Sequence, residues 1–292
     1  MLKKFFSKFV PAKFKKNVPV VPVVRLKGVI SASGSPLNPS LSLAGVAELL
    51  ERAFSDKRAP AVAIAVNSPG GSPVQSRLIY KRIRDLADEH KKPVYVFTED
   101  AAASGGYMIA VAGDEIIADP SSIVGSIGVI SASFGFVEAI KKIGVERRVY
   151  TAGGNKSTLD PFKPEKKADV DRIKKLQLEI HDVFIDVVKK RRGEKLAENV
   201  DLFTGEFWAG GQAKELGLVD HIGDMRSFLK DRFGEKTELK LISPQRGLFG
   251  RRPQTGVSTL IGGADVSALS TEAIEGAMTA LDERALWNRL GL

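Results

Sequence analysis

Ala61-Val62-Ala63-Ile64-Ala65-Val66 runs directly into Asn67-Ser68-Pro69-Gly70-Gly71, and Pro93-Val94-Tyr95-Val96-Phe97 is soon followed by Ala101-Ala102-Ala103-Ser104-Gly105-Gly106-Tyr107. Each apolar run reads as a buried strand, and each is followed by a turn of small residues. Two consecutive glycines can turn backbone N–H groups toward a ligand. The second turn sets one serine between small residues where a helix is expected to begin. A serine on one strand-to-helix turn and a Gly-Gly on the preceding one fit a nucleophile and an oxyanion hole, because an acyl-transfer transition state needs donors where negative charge develops.

Outward from these turns, strand-like and helix-like segments alternate. Val18 to Leu26 reads as an entering strand, Gly28 to Ser42 as a loop rich in Gly, Ser and Pro, and Leu43 to Phe54 as a helix. A helix over Ser76 to Glu89 separates the two strands already quoted. Glu115 to Ala118 reads as a short strand, Phe134 to Ile143 as a helix and Arg147 to Tyr150 as a strand edge. Repeated βα pairs predict an α/β fold with a mostly parallel sheet. From Pro164 to Arg191 a charged amphipathic helix carries Ile173, Leu176, Ile180, Val183, Phe184 and Val187 as its apolar stripe. Leu248 to Gly263 reads as a linker, and Thr271 to Arg289 as a last helix whose Leu281, Leu286, Trp287 and Leu290 could dock on a neighbour or a membrane.

With 292 residues, 43% hydrophobic and 27% charged, the chain can bury a substantial core, and one compact domain with appendages is expected. It has no cysteine, which excludes disulfides, thiolate metal sites and a cysteine nucleophile. The formal charge of +9 points to an anionic partner surface. Aromatic residues are few and no Cys/His finger is available, so nucleic acid is not the expected partner. In Met1-Leu2-Lys3-Lys4-Phe5-Phe6-Ser7-Lys8-Phe9-Val10 the apolar residues follow helical spacing and the lysines fill the other face. Such a leader could lie on an anionic membrane surface. It is too short and too charged to cross one, which takes roughly 20 apolar residues.

A serine hydroxyl needs a base to attack at neutral pH. His90, His181 and His221 are the three histidines, and none has a spacing that singles it out. Lysine serves when burial makes it neutral, in the Ser-Lys variant of triad logic. Lys156 is the best candidate, because Thr151-Ala152-Gly153-Gly154-Asn155-Lys156-Ser157 is glycine-rich while most other lysines fall in charge clusters.

Four segments then combine: Asn67 to Gly71, Ala103 to Tyr107, Gly125-Ser126-Ile127-Gly128-Val129, and Asn155-Lys156-Ser157-Thr158-Leu159-Asp160-Pro161-Phe162, with Ser104 and Lys156 separated by 52 positions. In this order they resemble the signal peptide peptidase A family of serine peptidases, peptidase family S49, over approximately residues 20 to 235. Thr204-Gly205 and Ala213 to Asp220 resemble the family's segment after the catalytic core.

The resemblance implies that Ser104 attacks the peptide carbonyl and that Lys156 is general base and then general acid. It implies an oxyanion hole from the N–H groups of Gly71 and Gly105, and a lysine amine oriented by Ser126. Asp160 could neighbour the lysine or cap a turn, whereas Ser121, Ser122, Ser131 and Ser133 read as turn, cap or packing residues. The implied fold is the crotonase-like, Clp-protease-like ββα spiral in a ring-forming homo-oligomer, whose active sites take serine and lysine from neighbouring subunits. The implied substrates are signal peptides and other unfolded or membrane-derived peptides with apolar side chains at the cleavage site. No metal and no cofactor is implied. The expected domains are a basic leader (1–17), the peptidase domain (18–235) and an extension (236–292). Without a visible spanning segment, the expected location is the cytoplasm or the periphery of the inner membrane. A crotonase-type acyl-CoA enzyme would share the sheet but use acidic residues, and a membrane-surface scaffold would leave Ser104 unacylated.

Overall fold

The computed structural model describes residues 18–32, 40–244 and, apart from 282, 280–292. The expected basic leader and the linker over 248–263 lie outside the described residues.

β1 (Val20–Lys27), β2 (Val62–Ser68) and β3 (Val94–Ala103) form the parallel centre of an eight-stranded sheet. Side chains alternate along β2: Val62, Ile64 and Val66 enter one core, while Ala61, just before the strand, and Ala63 enter the other. The larger side chains meet Leu50 and Phe54 of α1 (Leu43–Ser55) and Ile79, Ile83 and Leu86 of α2 (Pro73–His90). Ser42 caps α1 by accepting from Gly45 N–H at 3.3 Å, and Ser72 caps α2, whose first position is Pro73. The alanine face leaves room for Tyr95 and Phe97, which stack edge-on against Phe228 of α6 (Met225–Phe233).

β3 runs six residues past the apolar run that announced it, and it changes partner on the way. Tyr95 to Thr98 pair with β4 (Glu115–Ala118), and Ala101 to Ala103 pair with β5 (Ile123–Gly125). The β2 register shifts at the same level, between Val66 and Ser68. The sheet therefore forks at Glu99-Asp100, which gives it the turn of the expected ββα spiral. One branch ends in β7 (His221–Ile222) and the other in β6 (Phe207–Ala209), the one antiparallel pairing among the described strands. On the far edge β8 (Glu238–Leu241) pairs with β1, so the sheet continues beyond residue 235.

The expected strand edge at Arg147 to Tyr150 is not a strand. Arg147 instead pairs with Asp160 and Arg148 with Glu146, contacts that hold the chain as an exposed loop. The helix expected over Phe134 to Ile143 shortens to α4 (Val137–Lys142), and α5 spans Lys167–Arg192. Only the end of α5 is covered, through Phe184, Val188 and Arg192.

Arg192 is the most deeply placed cation of that contact. Its side chain is 3% exposed, donates to Gly217 O, and pairs at 2.8 Å with Asp220, which also accepts from Lys195 and from Ile116 N–H. Burial alone would raise the Asp220 carboxyl, but the bonds from Arg192 and Lys195 outweigh it and hold the group below the usual carboxylate range. A carboxyl held below its unfolded value of about 4 contributes stability that is fully present above that value and is lost as pH falls through the lower folded value. Asp220→Asn, which strands the arginine, is expected to cost about 3 kcal/mol or more in urea unfolding at neutral pH, with the gap to the parent narrowing in acid. A gap that is constant with pH would contradict this account.

Candidate active site

Ser104 sits between β3 and α3 (Gly105–Ala110), at φ 52° and ψ −122°. Such a conformation costs a residue with a Cβ on the order of 1–3 kcal/mol unless its surroundings impose it. Here they do. Ser104 N–H donates to Gly125 O at 2.8 Å, continuing the β3–β5 ladder, and its carbonyl accepts from Tyr107 and Met108 N–H. All six residues of α3 are buried, and Tyr107 anchors it by donating its hydroxyl to Leu218 O at 2.8 Å. Burial pushes the Tyr107 phenol far above its usual value, so it stays a donor. The Ser104 hydroxyl makes no capping bond.

The glycine turn after β2 lies against this serine. Ile30 N–H donates to Gly70 O, and Ser72 N–H donates to Ile30 O, which seats the turn on the isolated bridge at Ile30, beyond the end of β1. Gly70 has φ 106°, and a Cβ there would lie 2.7 Å from the Ser104 Cβ. A Cβ on Gly71 would run into the Ile30 carbonyl, and one on Gly105 into the Ser76 hydroxyl. Glycine is thus required by close approach as well as by conformation. Among the described residues, the N–H groups of Gly71 and Gly105 have no hydrogen-bond acceptor.

Ser104, Gly71 and Gly105 line one cavity of about 250 Å³. Met108, Val129, Ile130, Ile180 and Phe184 make much of its wall apolar. Ser126 follows β5 as Ser104 follows β3, across the Ala103–Gly125 pair, and shares its φ of 52°. Its N–H donates to Glu206 O at 2.7 Å, it is 5% exposed, and its hydroxyl makes no hydrogen bond to another described residue. It is not part of the cavity lining.

Lys156 is not brought to Ser104 within the chain. It is exposed in the turn of residues 153–159, and its ammonium has no partner among the described residues. Arg172 holds that turn by donating to Asn155 Oδ1 at 3.0 Å. Asp160 is a turn residue: it accepts from Phe162 N–H and pairs with Arg147, which hold its carboxyl below the usual range. None of the three histidines lines the cavity. His90 stacks on Phe54, His181 contacts Ile127 O, and His221 meets Glu115 at 2.7 Å. Ser122 bonds Glu99 O and Ser121 N–H bonds Asp119, as expected of turn residues.

Leu286 and Arg289 also line the cavity, although sequence reading gave the tail no chemistry. Rather than reaching a neighbour or a membrane, Leu290 packs on Ala101 and Ala103 of the same chain, beside Ile123 and Trp287. The alanine run was visible in the sequence, but its use as a docking face was not.

A family model described as peptidase family S49 matches residues 87–237. The chain belongs to peptidase family S49. It is 36% identical over 212 residues to Protease 4 of Haemophilus influenzae, covering 71% of this chain and 33% of that protein. It is 27% identical over 259 residues to the chloroplastic serine protease SPPA of Arabidopsis thaliana, covering 86% and 37%. A Brucella abortus protein named Na(+)/H(+) antiporter NhaA is 61% identical over 287 residues, covering 98% of this chain and 39% of that protein. The chain therefore spans about two fifths of the length of that relative. Among the described residues no helix is long and apolar enough to cross a membrane.

Gly70 and Gly28 share φ 106°, but a Cβ on Gly28 would meet nothing within 4 Å. Gly28→Ala is expected to cost about 1–2 kcal/mol from conformation alone, and Gly70→Ala distinctly more. Urea unfolding of the two variants checks this, and equal losses would deny the contact with Ser104 its structural weight.

Proposed function

We propose that this chain is a serine endopeptidase in which Ser104 is the nucleophile and Lys156 of a neighbouring subunit is the base. The observation that carries this reading is the strained Ser104 turn, with a free hydroxyl beside two unpaired glycine N–H groups. The Ser104 Oγ bonds to the peptide carbonyl carbon while its proton passes to the lysine amine. The oxyanion is held by the N–H groups of Gly71 and Gly105. As the C–N bond breaks, the lysine returns the proton to the leaving amine. Water then repeats the sequence on the acyl-enzyme, releasing the acid and restoring Ser104. The Ser126 hydroxyl, on a residue only 5% exposed and with no hydrogen-bond partner among the described residues, is suited to orient the incoming amine.

A lysine acts as a base only when neutral, and removal from water favours that form. The exposure of Lys156 in the single chain supports an arrangement in which a neighbour covers it. The same stretch carries an uncovered apolar surface, with Phe134 75%, Ile143 72% and Tyr150 90% exposed, the kind of patch that a second copy buries. A closed ring would satisfy every such surface. The apolar cavity wall supports substrates that are signal peptides or other unfolded or membrane-derived peptides with apolar side chains at the cleavage site. The charge of +9 supports a peripheral encounter with an anionic inner-membrane surface from the cytoplasm. We take the peptidase domain to begin at residue 18 and, with β8, to run to residue 241.

Incubation with an apolar signal-like peptide, read by mass spectrometry, tests the assignment. The parent is expected to cleave it, with Ser104→Ala and Lys156→Ala each slower by about 10³-fold or more. Lys156→Arg should be as inactive, because a guanidinium keeps its proton. Parental rates in Ser104→Ala, or an inert parent, would sink the proposal and favour the scaffold reading.

A further inference from the structure

The described segment near the end of the chain is held against the candidate site from two sides. Residues 283–288 are helical, and the chain then turns, with Leu290 N–H donating to Trp287 O at 2.9 Å. Leu290, 8% exposed, sits on the flat surface that Ala101 and Ala103 offer just before Ser104. One turn earlier, Leu286 faces the cavity beside the apolar wall, and Arg289 reaches its edge. Arg289 is the one charged residue of the lining, it is exposed, and it has no ion partner among the described residues. A fixed cation at the rim of an apolar cavity attracts an anion carried by whatever fills that cavity, and a guanidinium matches a carboxylate in two-point geometry.

We propose that residues 283–290 form one wall of the substrate cavity and that Arg289 selects peptides bearing a carboxylate beside the apolar side chain seated there. This rests on the peptidase-site reading for the identity of the cavity. The segment contributes specificity: Leu286 completes the apolar enclosure, and Arg289 reads the adjoining residue. The pair is exposed, so its effect on affinity is modest, about two- to fivefold.

The test uses the full chain carrying Ser104→Ala, so that bound peptide stays intact, with fluorescent peptides that differ only in Glu or Gln next to a leucine, on either side. Anisotropy is expected to show the Glu peptide binding about two- to fivefold tighter, with the advantage shrinking in about 0.5 M salt. Adding Arg289→Gln should erase the preference, and Arg289→Glu should transfer it to a Lys peptide. Equal binding of Glu and Gln peptides, a preference that survives Arg289→Gln, or no binding at all overturns the proposal. Cleavage of the Gln peptide by the parent, measured in parallel, separates the two readings. Cleavage without a Glu preference removes only the role of Arg289. A Glu preference in binding without cleavage by the parent removes only the peptidase assignment.

Discussion

β3 must satisfy two strands in succession, and the candidate site is built where it does so. Its first half belongs to β4 and its second half to β5, so the chain leaves the sheet at Ser104 with that residue's N–H still bonded to Gly125 O at 2.8 Å. That bond, with the carbonyl bonds from Tyr107 and Met108, holds a serine where a Cβ is normally disfavoured. The wholly buried α3 keeps the turn from relaxing. Gly70 can approach the Ser104 Cβ only because it has none of its own. The same forked strand supplies Ala101 and Ala103 as the seat of Leu290. The Ser104 turn, the glycine turn and the cavity wall thus share one support.

Much of this was legible in the sequence because it depends on local chemistry. The strands begun by the apolar runs 61–66 and 94–97, the glycines at 70, 71 and 105, and the serine between them follow from apolar runs and from residues that only certain turns admit. The first helix begins at Leu43 as expected, whereas the second begins at Pro73, capped by Ser72, ahead of the expected Ser76. The fork was less visible: Glu99-Asp100 interrupts the apolar pattern and reads as the end of a strand, whereas the strand continues to Ala103 with a new partner.

What stayed hidden depends on distant or absent partners. Arg147 to Tyr150 has a strand-like composition, yet it pairs with no strand of the sheet, and Arg147 instead pairs with the buried carboxylate of Asp160. Periodicity in the last helix identified an apolar face without saying what covers it, and the answer lies some 180 positions earlier, at Ala101 and Ala103. Lys156 could be picked out by its glycine-rich setting, but a single chain leaves its ammonium in water. The half-covered α5 and the exposed aromatic residues near Phe134 share that property. In the proposed assembly each of these surfaces is covered by another copy of the chain.

That dependence on a neighbour is the central claim, and subunit mixing tests it most directly. Ser104→Ala and Lys156→Ala proteins are purified separately, dissociated, mixed in equal amounts and reassembled, and peptide cleavage is followed. If each site joins the serine of one subunit to the lysine of the next, random reassembly restores about a quarter of the sites, and activity returns from two inactive proteins. A mixture that assembles into the parental oligomer yet stays inactive would contradict the shared site.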